Sequence, residues 1–132
     1  MKTVYYSKTL EHPSIEGLET IFEALPELES PADHFSEKED IESVIAKSTC
    51  LSNSYWFSAK VTVRLIGFPE VSAHDFLGCC SYETFEEFHQ YENADYFRDM
   101  VDTATGELVP QLSRLLGSIE HVLTCCEEKA GA

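Results

Sequence analysis

Trp56, Lys60 and Arg64 recur every fourth residue in a stretch where apolar and polar residues alternate, so all three stand on one side of a strand. Two cations beside an indole suit an anionic, planar ligand, held by charge-assisted hydrogen bonds and stacking. The same residues also suit a solvated sheet face whose bases pair with nearby acids. A second constellation is Glu16, Glu19, Glu23 and Glu27, spaced by three, four and four. On a helix this spacing sets neighbouring carboxylates ~5–6 Å apart. Such a stripe could imitate a phosphate backbone or steer a basic protein partner, as acidic inhibitors and immunity proteins do. A plain solvated helix face carries the same signature.

Other chemistries find little in the chain. Cys79–Cys80 and Cys125–Cys126 are adjacent pairs, and Cys50 is single. Zinc and redox sites space their cysteines by two or more residues, so these five read as reduced thiols used mainly as small hydrophobes. The five histidines are scattered without His-x-x-x-His spacing, so no metal site is expected. The glycines form no phosphate loop, dinucleotide fingerprint or nucleophile elbow, and no cofactor is expected.

Charge narrows the partners. Twenty-four acids against nine bases leave a net charge of −15 over 132 residues, which argues against direct binding to nucleic acid or an anionic membrane. Residues 11–42 carry −10 and 83–132 carry −8, while 43–82 carry +1, so the alternating stretch lies in the least acidic part. No run approaches the ~20 apolar residues of a membrane helix. Lys8 and Glu11 interrupt the N-terminus before a signal-length apolar block, which predicts a cytoplasmic protein.

The elements that must position these residues follow from periodicity, and 1–132 reads as a single domain. Thr3–Leu10 reads as a strand ended by His12-Pro13. Ser14 then caps an expected helix with Ile15, Leu18, Ile21, Phe22, Leu25 and Leu28 on one face. The box Ser36–Glu39 opens a second, shorter helix through Ile41, Val44 and Ile45. From Tyr55 the alternation puts Tyr55, Phe57, Ala59, Val61, Val63 and Leu65 on one face and Trp56, Lys60, Arg64 and Ile66 on the other. Asp75–Tyr82 reads as its antiparallel hairpin partner across a loop longer than a tight turn. Two helical pieces follow, from Thr84 and from Leu108, the second ended by Gly117, and Ser118–Cys126 reads as a last strand. The expected fold is α+β: a ferredoxin-like β-α-β-β-α-β order with an extra helix, a four-stranded antiparallel sheet and helices on one face.

The stretch from Tyr82 to Phe97, with Tyr82, Thr84, Glu86, Ala94 and Phe97 at matching offsets, resembles the strand-to-helix junction of the antibiotic biosynthesis monooxygenase-like family. The resemblance spans about residues 54 to 126. It implies a dimeric α+β barrel, in which Trp56, Lys60 and Arg64 line the interior of a homodimer that binds a small organic molecule and acts as a cofactor-free oxygenase. Val101 stands where haem-degrading relatives place an iron-ligating His, so the resemblance does not extend to haem. The rival expectation is a non-catalytic acidic interaction protein that meets a basic partner through Glu16, Glu19, Glu23 and Glu27.

Overall fold

The computed structural model describes residues 4–27, 56–90 and 94–131. Strand β1 (Tyr6–Glu11) pairs with β2 (Leu18–Leu25), β2 with β3 (Trp56–Leu65) and β3 with β4 (Phe68–Ser81), every pair antiparallel, giving a meander in the order β1-β2-β3-β4. A one-turn helix, α1 (Glu86–His89), and a long helix, α2 (Asp95–Ala130), follow. The β-α-β-β-α-β order is therefore wrong, and with it the barrel-forming dimer that the resemblance implied. The coarser expectation stands: an α+β protein with a four-stranded antiparallel sheet and helix packed on it.

The expected first helix is β2. Its burial alternates strictly, with Leu18, Thr20, Phe22 and Ala24 inward and Glu19, Ile21, Glu23 and Leu25 turned the other way. The helical reading counted Ile21 and Leu25 as core and passed over Thr20 and Ala24, both fully buried. β1 and β3 offer this segment two ladders of backbone partners, and tertiary pairing overrides a weak local preference. Ser14 caps no helix; it lies in the β1–β2 turn, where Gly17 takes a φ of +95°. The second expected helix, around Ser36–Glu39, lies outside the described residues.

The alternating strand is present over Trp56–Leu65, with Phe57, Ala59, Val61 and Val63 fully buried; Tyr55 lies outside the described residues and Ile66 falls in the turn. Its turn to β4 is tight, however, using only Ile66 and Gly67, and Gly67 supplies the φ of +86° that a side chain would resist. β4 is correspondingly longer than expected. Near its end Cys79 takes a φ of +58° where the β3–β4 register shifts, a bulge that re-aims the strand.

Phe97, Met100, Val101, Ala104 and Leu108 recur at three and four along α2 and lie buried against the sheet. Phe88 of α1 stacks on Phe22 at 4.9 Å between ring centroids, and Phe57 and Phe97 close edge-on around it. α2 then runs through Pro110 and Gly117 without stopping, so the expected break and last strand are absent and 118–126 is helical. Pro110 and Gly106 are exposed, so the carbonyl that Pro110 leaves unpaired faces water, where the loss is least costly. No helix among the described residues is long and apolar enough to cross a membrane.

Candidate functional site

The sheet face turned away from α2 carries both sets of residues singled out in the sequence. Glu19 stands opposite Arg64 and Glu23 opposite Lys60 in the β2–β3 register. Arg64 Nε donates to Glu19 Oε1 at 2.5 Å, with both side chains about a quarter to a third exposed. The Lys60 ammonium lies 5.6 Å from the centroid of the Phe76 ring on β4, within cation–π range. Trp56 is buried at 5% exposure yet lies outside the core cluster. From Trp56 to Arg64 the strand advances roughly 26 Å at ~3.3 Å per residue, so these three side chains do not converge on one small ligand.

The four glutamates do not form a helical row. Glu16 is exposed in the β1–β2 turn, and Glu19 and Glu23 alternate along β2 at roughly 13 Å spacing. Glu27, just beyond β2, accepts the Cys79 backbone N–H through Oε2 at 2.8 Å, which holds the bulge. The expected ligand pocket and the expected acidic stripe thus largely share one face, where cations and carboxylates meet across the strands. Around Lys60 and Arg64 it is the cross-paired face which the sequence also allowed, whereas Trp56 is buried.

Two histidines that sequence reasoning left aside hold the structure together. His12 Nδ1 accepts the backbone N–H groups of Ser14 and Ile15 at 3.1 and 3.0 Å. Its Nε2 lies 2.9 Å from Thr105 Oγ1, whose own proton goes to the Val101 carbonyl at 2.6 Å, so Nε2 carries the hydrogen and donates. Burial pushes the His12 pKa down against an opposing pull from Asp102. His89 Nε2 meets the Tyr6 hydroxyl at 2.9 Å beside Phe22. Burial lowers the His89 pKa, opposed by Glu86, and burial raises that of Tyr6.

Cys79 and Cys80 line an open cavity of about 300 Å³ with Tyr82 and Tyr96. Burial pushes the Cys80 thiol up to about 12, and its Sγ donates to the Leu77 carbonyl at 3.3 Å, so it is a protected packing group rather than a nucleophile. No cluster of three or more metal-ligating side chains occurs among the described residues.

The feature that sequence reasoning missed is the distal part of α2. From Ser113 to Gly131 every residue is exposed, so the helix leaves the sheet and projects as an arm roughly 27 Å long at ~1.5 Å per residue. Gln111 fastens its base by donating to the Ser72 carbonyl at 2.9 Å. Along the arm Leu115, Leu116, Ile119, Val122 and Leu123 stand between 37% and 57% exposed. The signal was present in the spacing Leu108, Leu112, Leu115, Ile119, Val122 and Cys126, which alternates four and three, but Gly117 was read as a stop.

The chain matches no family model, and neither the curated proteins nor the solved structures contain a significant match. The residues quoted for the monooxygenase-like resemblance do lie at a strand-to-helix junction, with Tyr82 just after β4 and Glu86 opening α1. The topology around that junction is a different one.

Proposed function

We propose that the protein is a non-catalytic, acidic interaction module in which the sheet and proximal α2 form a head and the distal α2 arm docks onto a protein partner. The observation that carries this reading is the exposed aliphatic stripe on the arm. Val109, Leu115, Leu116, Ile119, Val122 and Leu123, between 37% and 57% exposed, leave roughly 500 Å² of apolar surface, near the upper end of the largest patch a monomer commonly carries, which is often functional. Gly117, Thr124 and the β-branched Ile119 and Val122 lower the helix propensity of the arm. Packing of the stripe against a partner supplies what propensity does not.

The side chains that could have supported catalysis are engaged otherwise: Arg64 with Glu19, Lys60 over Phe76, His12 with Thr105 and His89 with Tyr6. This favours the interaction reading over an oxygenase acting on an anionic aromatic compound. The role assigned to the acids changes as well, since the docking element is apolar and the net charge of −15 serves to keep the head soluble.

A photocrosslinker tests the proposal. With p-benzoylphenylalanine at position 119 of the full chain, irradiation of cells expressing it should give a discrete protein adduct. The same group at position 121, on the opposite side of the helix, should give none. A soluble, folded protein without an adduct from position 119 defeats the docking role of the arm.

A further inference from the structure

Resting on that reading, we infer that the partner of the arm is a second copy of this chain, the two α2 arms pairing through Leu115, Ile119, Val122 and Cys126, the exposed part of a seam that begins with Leu108 and Leu112 against the sheet. In heptad terms Leu112, Ile119 and Cys126 occupy position a, and Leu108, Leu115 and Val122 occupy position d. Leu108 is fully buried in the core of the head, so the seam emerges from the core and continues outward without a break in register. Ser118, Ile119, Val122 and Leu123 surround a shallow, wholly apolar notch of about 260 Å³ on the same side of the helix as the seam.

Charge and area both select a second copy. A chain with 24 acids repels itself wherever acids meet, yet the seam from Leu108 to Cys126 contains none. Only Arg114 and Glu120 are charged between those residues, and they cancel. The positions flanking the seam on the d side, Gln111, Ser118 and Cys125, are neutral, so two copies meet there without like-charge repulsion. A basic partner would find no row of carboxylates on this surface. With Val109, Leu116 and Leu123 at the flanking e positions included, two stripes of roughly 500 Å² bury at most roughly 1,000 Å² of apolar surface, the lower end for a specific interface. One patch serves both subunits, as a twofold axis requires.

Sedimentation velocity on the purified full chain tests the inference. From about 1 to 100 μM the protein should move from the 14.9 kDa chain toward twice that mass, a range that samples micromolar association. Ile119→Glu places a carboxylate in the seam of both copies and should raise the dissociation constant at least about 100-fold. Glu120→Lys, outside the seam, should change it less than about threefold. Val122→Ala is the milder second variant and should weaken pairing about tenfold. Unchanged Trp56 fluorescence is the control that the head remains folded. A wild-type monomer at about 100 μM, or dimerisation indifferent to both seam variants, overturns the inference. The crosslinking experiment separates the two failures: an adduct with a different protein, alongside a monomer in sedimentation, overturns self-pairing and leaves the docking arm intact, whereas no adduct removes both.

Discussion

Replacing His12 by Ala should cost about 2–3 kcal/mol of stability and remove part of its pH dependence. The ring is the polar link between the β1–β2 turn and α2, joining residues 93 positions apart, and it is 9% exposed. Losing the bond to Thr105 forfeits about 1 kcal/mol. The amides of Ser14 and Ile15 lose their acceptor, but both residues are exposed and water replaces it, so they add only about 0.5 kcal/mol each. The lost burial of the ring makes up the remainder. Thr105→Val, which strands the Nε2 hydrogen, should cost about 1–2 kcal/mol.

The pH dependence follows from the direction of the shift. Burial holds the folded pKa of His12 below its usual 6.5, so between those two values the unfolded chain binds more protons. The stability from His12 is complete above about pH 6.5 and is lost as pH falls toward the folded pKa, because protonating Nδ1 surrenders both turn amides. His89 is shifted in the same direction and acts with the same sign. Urea unfolding followed by Trp56 fluorescence at about pH 7.5, 6.5 and 5.5 measures this. His12→Ala should flatten the decline, and the double variant with His89→Ala should nearly abolish it. A His12→Ala protein within about 0.5 kcal/mol of wild type, or a double variant that keeps the full decline, refutes the reasoning.

Arg64→Ala should cost no more than about 1 kcal/mol, the scale of a partly exposed cross-strand pair, and most of that difference should vanish in high salt; a larger, salt-independent loss would contradict the pairing with Glu19. Brief alkylation of the native protein, dilute enough for the arms to stand apart, should label the exposed Cys125 and Cys126 and spare Cys80, whose thiol burial raises to about 12; mass spectrometry finding Cys80 modified as fast as the arm cysteines would reject its protected state.

Much of the sheet was legible because β3 declares itself twice, by strict alternation and by β-branched and aromatic residues, and both signals agree with its pairing. β2 was illegible for a definite reason. Its sequence, Leu-Glu-Thr-Ile-Phe-Glu-Ala-Leu, satisfies periods of 3.6 and of 2 together, and only the strands on either side decide between them. Reading it as a helix also produced the acidic stripe, since Glu16, Glu19, Glu23 and Glu27 line up only when wound at 3.6 residues per turn. Alternation places Lys60 and Arg64 on the face turned from the helix but does not foretell that Trp56 is buried or what lies opposite, since Glu19 and Phe76 come from strands whose register the sequence leaves open. On α2, Pro110 and Gly117 are local stop signals overruled by a continuous apolar stripe on both sides of them.

The bulge at Cys79 has a consequence for solubility. Among the described residues the meander leaves two strand edges without a neighbour, and the outer edge of β4, in a strand of 14 residues, is long enough to template the strands of other chains. Three irregularities interrupt it. Pro69 removes an amide near the start of the strand, Asp75 places a charge at its middle, and Cys79, with its amide drawn toward Glu27, twists the last residues out of a flat ladder. Edge-to-edge stacking into fibrils is thereby discouraged, at the cost of one residue in a left-handed conformation. Removing Glu27 from the bulge frees the Cys79 amide and, where β4 straightens, lengthens the flat edge that another strand can extend.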